Sequence, residues 1–238
     1  MSRNGRIRWA HDGSPAAASA VLFDMDGVVT LNSHFHAQAW QQFVQEDLGL
    51  PFDLNDPRIQ GGRNADILAS LTGKPATPEE VRACEFAKEN HYRSLAKGHL
   101  RPVPGLNDYL HRLTGAQIPI TLVTSAGPEN MAFVLGELGS METFQAIVSE
   151  ADVTNGKPHP EPFQQAASAL GIDPAECLAH EDAPSGVRSA LDAGCRMVAL
   201  STTVSSQQLI EAGAKHHVAD FDEWLTQRRI KPEWEVTP

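Results

Sequence analysis

Two hydrophobic periods divide the chain. From Ile118 onward, short apolar runs alternate with amphipathic stretches, in the order "IPITLVTSA", "PENMAFVLGELG", "QAIVSEAD", "PEPFQQAASALG", "CLAHED", "SGVRSALDAG" and "RMVALS". Runs that are apolar at nearly every position read as parallel strands buried on both faces, and the amphipathic stretches as the helices covering those faces. "HHVAD" and the helix-like "FDEWLTQRR" close the series, and one more strand-like run, "VLFDMDGVVT" from Val21 to Thr30, stands far upstream.

Between Thr30 and Arg101 the period becomes helical. Phe35, Ala39, Trp40, Phe43, Val44 and Leu48 recur at helical spacing until Gly49 and Pro51 interrupt them. "TPEE" at Thr77–Glu80 reads as a capping box with Pro78 in the first helical position, opening a helix through Val81, Cys84, Tyr92 and Leu95 that ends near Gly98. A segment of helix and loop lying between the first strand and the rest of a sheet is an insert that caps the sheet's edge. The expected fold class is therefore α/β: a Rossmann-like, doubly wound parallel sheet from residues 16–33 and 101–230, with an inserted helical cap domain at 34–100. Residues 1–15 and 231–238 read as flexible tails.

A length of 238 residues suits one core and a modest second lobe, and 41% hydrophobic with 21% charged residues is the composition of an ordinary globular protein. The formal net charge of -11 argues against a nucleic-acid surface. No apolar run is long enough to span a bilayer, and the small-residue cluster "SPAAASA" precedes the apolar run, the reverse of a secretory signal. Cys84, Cys177 and Cys195 are far apart and without a CxxC pair, so a reducing cytoplasm is expected rather than a disulfide framework. No sequence feature sets the oligomeric state, and a monomer is the expectation.

In open parallel sheets, ligands bind beyond the carboxyl ends of the strands. Four such ends carry polar groups: Asp24 and Asp26, Thr124 and Ser125, the "NGKPHPEPF" loop with Lys157, and Glu181 with Asp182. Each has a task in phosphoryl transfer. A phosphomonoester carries about -1.5 to -2 charge at neutral pH, so a carboxylate nucleophile needs that charge neutralised. Mg²⁺ does so with one or two carboxylates plus phosphate oxygens and waters. Asp24 and Asp182, aided by Glu181, would hold the ion. Lys157 would pair with the phosphate, and Thr124 with backbone amides near Gly27 would hydrogen-bond the transferring group. Asp24 would attack phosphorus, and Asp26 would serve as acid and then base.

The four motifs "FDMDGVV", "LVTSA", "GKPHPEPF" and "HEDAPSGVRSALDAG", in this order, resemble the haloacid dehalogenase superfamily, within it the helical-cap group that includes beta-phosphoglucomutase and many sugar-phosphate phosphatases. The resemblance runs from about Ala20 to Phe221. It implies a haloacid dehalogenase-like core, Asp24 as nucleophile, Asp26 as general acid/base, Thr124 and Lys157 as phosphate ligands, and a Mg²⁺ site drawing on Asp24, Asp26, Glu181 and Asp182. Because Asp26 is present, phosphate-ester chemistry is implied over carbon–halogen or carbon–phosphorus cleavage. Substrate contacts are implied for Gly27 and Ser125 in the core. "HFHAQAW" and "GGRNADIL" resemble cap stretches of the same group and add His36 and Arg63, and Lys88 lies near a cap lysine of the mutase.

The implied activity is Mg²⁺-dependent hydrolysis of a small phosphorylated metabolite, foremost a sugar phosphate, through an aspartyl phosphate. Two alternatives remain open: a beta-phosphoglucomutase-like isomerase on the same core, and a binding protein that keeps the fold without turnover. Plainer readings stand beside the sharp ones. Asp24 and Asp26 would cap a turn, Arg63 would be a surface ion-pair partner, Lys88 a helix-face lysine, and His36 a residue that orients the hinge or packs beneath Trp40.

Overall fold

A computed structural model describes residues 7–11, 14–53, 56–59, 64–139 and 141–226. The strands are β1 (Ile7–His11), β2 (Ser14–Ala18), β3 (Ala20–Phe23), β4 (Ile120–Val123), β5 (Ala146–Val148), β6 (Cys177–Glu181), β7 (Arg196–Leu200) and β8 (His217–Val218). The last six form one parallel sheet in the order β5-β4-β3-β6-β7-β8. The helices are α1 (Ser33–Gln42), α2 (Asn64–Thr72), α3 (Pro78–Ala96), α4 (Leu106–Gly115), α5 (Pro128–Leu138), α6 (Glu161–Ala169), α7 (Pro184–Asp192), α8 (Ser206–Glu211) and α9 (Phe221–Thr226). Among the described residues, no helix is long and apolar enough to cross a membrane.

The near-continuous apolar runs serve both faces of the sheet, as their pattern requires. Successive side chains of a strand point to opposite sides. Val21 and Phe23 of β3, with Ile120, Leu122, Leu178 and Val198, therefore pack toward Tyr109 of α4, Leu135 of α5 and Trp224 of α9. Ala20 and Leu22, with Val123, Ala179 and Met197, pack toward Phe163 of α6, Val187 of α7 and Leu209 of α8. The cap has its own small core, in which Trp40, Phe43 and Val44 meet Ile67, Leu68 and Cys84. The periodicity from Phe35 to Leu48 corresponds to α1 and a π-helical continuation over Phe43–Asp47, ended by Gly49 at φ +64°. Thr77 and Glu80 close the predicted capping box reciprocally, and α3 begins at Pro78.

At the N-terminus the structure departs from the sequence expectation. Part of the stretch read as a tail, residues 1–15, is paired: β1 and β2 form a separate antiparallel ladder running from Ile7↔Ala18 to His11↔Ser14. The dipeptide Asp12-Gly13, which stands between the two strands in the sequence, is of the kind that favours a two-residue hairpin turn. The expected C-terminal tail, 231–238, lies outside the described residues.

Candidate active site

The strand order explains why residues more than a hundred positions apart meet. From β3 the chain continues to β4 and β5 on one side of the sheet, then crosses to β6 and β7 on the other. β3 is thus the switch point, where the connections leave in opposite directions and open a crevice beyond the carboxyl ends. Asp24 follows β3 directly, Thr124 follows β4, and Glu181 ends β6 with Asp182 next to it. Lys157 reaches the same place from the loop between β5 and α6, where the Lys157-Pro158 peptide is cis.

These side chains form a buried ionic cluster. Lys157 Nζ donates to Asp24 Oδ1 at 2.5 Å, to Glu181 Oε1 at 2.6 Å and to the Val123 carbonyl at 2.9 Å. Carboxylate oxygens of Asp24, Glu181 and Asp182 all lie within 4.8 Å of one another. Three carboxylates against one ammonium leave an excess of negative charge away from water, which is costly unless a cation or a proton offsets it. Burial, then the neighbouring Glu181 charge, push the Asp24 carboxyl up to about 8 despite the opposing pull of Lys157. Burial, then Asp24 and Glu181, hold Asp182 well above the usual carboxylate range. The Lys157 ammonium is held in its charged form, because Asp24 and Glu181 outweigh the cost of its burial. Oxygen donors of this hardness, number and excess charge fit a divalent cation of the Mg²⁺ type.

Two glycines keep the cluster this tight. Gly27 turns at φ +77°, and a Cβ there would overlap the Asp182 carboxylate, while a Cβ on Gly186 of α7 would overlap that of Glu181. Glu181 Oε2 also accepts the Asp182 amide at 3.1 Å. Gly27 donates its amide to the Thr30 carbonyl at 2.7 Å, and its own carbonyl accepts from Thr202 Oγ1 at 2.5 Å. Thr124 Oγ1 accepts the Ala126 amide at 3.0 Å, shaping the loop that carries Ser125.

Asp26, placed among the metal ligands by the sequence reading, has its carboxylate outside this cluster. It is drawn the other way, accepting from Asn32 Nδ2 at 2.5 Å and lying 3.7 Å from His36 Nε2. Burial pushes its carboxyl up, but the hydrogen bonds and charge from His36, the Asn32 amide and the charge of Lys88 outweigh that and hold it below its ordinary value. Asp24 and Asp26, two residues apart, are thereby held in opposite electrostatic surroundings: burial and neighbouring carboxylates push the first up, a surplus of negative charge that a bound cation would offset, while His36, Asn32 and Lys88 hold the second down.

A cavity of about 670 Å³ lies between core and cap, reaching Asp24, Asp26, Ser125, Lys157 and Asp182 on one side and His36, Trp40 and Lys88 on the other. His36 stacks on Tyr92, with ring centroids 3.9 Å apart and planes 7° off parallel, and so packs against Tyr92 rather than beneath Trp40. Lys88 is buried, not on an open helix face. Its Nζ contacts His36 Nδ1 and Glu89 Oε1, each at 2.9 Å, and sits over the Trp40 ring. Arg63 lies outside the described residues. Sequence reasoning missed Asn32, which bonds both Asp26 and Tyr92, and Glu89, Arg93 and Asn130, which join cap to core. A buried asparagine carries no periodic or motif signal by which it could be picked out.

The chain is 30% identical over 196 residues to validoxylamine A 7'-phosphate phosphatase of Streptomyces hygroscopicus subsp. limoneus, covering 80% of this chain and 89% of that protein. It is 31% identical over 225 residues to beta-phosphoglucomutase of Bacillus subtilis, covering 91% and 95%. Among solved structures, a family IA, variant 3 hydrolase from Entamoeba histolytica superposes with a TM-score of 0.78 at 26% identity, covering 86% of this chain and 94% of that one. The switch-point site, these relatives and the match of residues 18–194 to the family model agree, and the chain belongs to the haloacid dehalogenase-like hydrolases.

Proposed function

We propose that this enzyme is a Mg²⁺-dependent phosphatase that hydrolyses a small phosphomonoester, foremost a sugar phosphate, through an aspartyl phosphate on Asp24. The observation that carries the reading is the meeting of Asp24, Lys157, Glu181 and Asp182 beneath the cavity, with Asp26 beside them but in different surroundings. The relatives named for phosphatase activity, validoxylamine A 7'-phosphate phosphatase and the 28% identical hexitol phosphatase A of Escherichia coli, support the substrate class.

Asp24, Glu181 and Asp182 would hold the ion, which when bound neutralises charge on the phosphate and on the surplus carboxylates. An Asp24 oxygen attacks phosphorus as the bond to the ester oxygen breaks. Asp26, once it has taken up a proton against the pull of His36 and Asn32, gives it to the departing oxygen, so the product leaves as an alcohol. Water then attacks the aspartyl phosphate, Asp26 takes its proton, and Asp24 is regenerated with release of inorganic phosphate. Lys157 pairs with the transferring group, and Thr124 donates its hydroxyl hydrogen to it. The cap excludes bulk water between the two steps.

The test is a panel of phosphorylated metabolites with Mg²⁺, including beta-glucose 1-phosphate with a trace of glucose 1,6-bisphosphate, following both inorganic phosphate and glucose 6-phosphate. Phosphate release that depends on the metal and is nearly abolished by Asp24→Asn is the expected result. Glucose 6-phosphate formed without phosphate release would instead make the protein a mutase, like the Bacillus subtilis relative. Full turnover by Asp24→Asn would overturn the mechanism.

A further inference from the structure

One polar bridge between cap and core takes no part in the mechanism above. Asn130 stands in the first turn of α5, on the core, and is 4% exposed. Its carbonyl oxygen accepts from Arg93 Nη1 at 2.7 Å, and its amide donates to Glu89 Oε2. Both partners belong to α3 of the cap and, four residues apart, share one face of it. Arg93 is steadied by Asn90 Oδ1 at 2.6 Å and by Glu129 Oε2, beside Asn130 on the core, at 3.2 Å. A primary amide offers a donor and an acceptor side by side, and so meets a cation and an anion on the same helix face at once.

The bridge continues to the acid/base candidate. The other oxygen of Glu89 accepts from Asn64 at 2.6 Å and from Lys88 at 2.9 Å. An ammonium is only a donor, so its contact with His36 Nδ1 makes that nitrogen the acceptor and leaves the ring proton on Nε2, facing Asp26. Stacking on Tyr92 fixes the plane of the His36 ring.

We propose that Asn130 is a positioning residue: clamped by Glu89 and Arg93, it seats α3 on the core and so sets the Glu89–Lys88–His36 row that orients Asp26. This rests on Asp26 being the acid/base of the proposed phosphatase.

Asn130→Asp keeps the acceptor for Arg93 but sets a carboxylate against Glu89. On an alkyl phosphate, whose leaving group needs a proton, kcat should fall about ten- to hundredfold, the scale of one charge-assisted hydrogen bond. The burst of p-nitrophenolate from p-nitrophenyl phosphate, which leaves without a proton, should fall by less than about threefold. Adding Glu89→Gln restores a hydrogen bond with donor and acceptor exchanged, so the double variant should be more active than Asn130→Asp alone. Equal losses on both esters, or no recovery in the double variant, would overturn the proposal. If Asn130→Asp does not fold, Asn130→Ala is measured on both esters, and the same split is expected; wild-type kcat on the alkyl ester would overturn it. Should the wild type hydrolyse no ester, the function reading fails separately, and seating is read by amide exchange. Faster exchange along α3 in Asn130→Ala would support the clamp, and unchanged exchange would refute it.

Discussion

His180 provides a pH-dependent contribution to stability that the structure allows to be sized. It lies on β6 beside Glu181 but faces the opposite side of the sheet, among Phe23, Tyr109, Phe221 and Trp224. Its Nδ1 lies 3.2 Å from the Val198 carbonyl and its Nε2 lies 3.1 Å from the Tyr109 hydroxyl, so the neutral ring donates at one nitrogen and accepts at the other. Protonation would bury a charge and turn the accepting nitrogen into a donor aimed at a hydroxyl. Burial accordingly pushes the ring down to about 3 from an ordinary 6.5, against a smaller upward pull from Val198. Below pH 6.5 the unfolded histidine binds a proton that the native ring refuses. The contribution is therefore fully present above about pH 6.5 and is lost as pH falls toward 3, at up to about 1.4 kcal/mol per pH unit. Between pH 7 and pH 5 this amounts to about 2 kcal/mol. Urea unfolding of the wild type and of His180→Gln, which keeps a donor and an acceptor but does not titrate, isolates the term. Other groups contribute equally to both curves, so the difference between them should change by about 2 kcal/mol over this interval. Parallel curves would refute the assignment of a neutral, buried His180.

Three further outcomes follow from named contacts. Saturating Mg²⁺ at about a hundred times its Kd should stabilise the wild type by about 2.7 kcal/mol, with a higher Tm, and Asp182→Asn should abolish most of that gain; an equal gain in the variant would remove Asp182 from the ligand set. Gly186→Ala, whose Cβ would overlap Glu181, should destabilise by about 1–3 kcal/mol in urea titration, whereas Gly136→Ala in α5, where a Cβ meets nothing within 4 Å, should stabilise by about 0.5–1 kcal/mol. The same sign for both substitutions would contradict the packing argument. Cys84, Cys177 and Cys195 are buried, and burial pushes each thiol up to about 12, so a disulfide reagent at pH 8 should titrate none of them until the protein is unfolded. Prompt reaction of one would show that its surroundings open.

The fold was legible because its determinants are local. A parallel strand buried on both faces is apolar at most positions; β3 is apolar throughout, β4 but for Thr121 and β6 over Cys177–Ala179, so the polar ends at Asp24, Thr124 and Glu181 stood out. The capping box that opens α3 is a four-residue signal, and Thr77 with Glu80 closes it as read. The β1–β2 ladder was missed because its second strand, "SPAAA", has neither β-branched nor aromatic residues to announce it.

The polar architecture under the cap was legible only in part, and the reason is geometric. Asp26 shares a motif with Asp24, and the family resemblance implied both for the metal site, yet these two positions, one residue between them, send their side chains to different partners. What separates them is Asn32, six residues on, and His36, whose orientation depends on Lys88 fifty-two residues away. Glu89 and Asn130 meet across forty-one residues, and only once cap and core are docked. Such contacts leave no periodicity, since one polar residue on an otherwise ordinary helix face looks solvated until its partner is placed. The chemistry common to this fold is therefore written at strand ends, where the sheet forces convergence. What this enzyme does with it is held in single amides and carboxylates whose meaning arises only from docking, and Asn130, a core side chain bonded to both a cation and an anion of the cap, is the position where that docking and the chemistry meet.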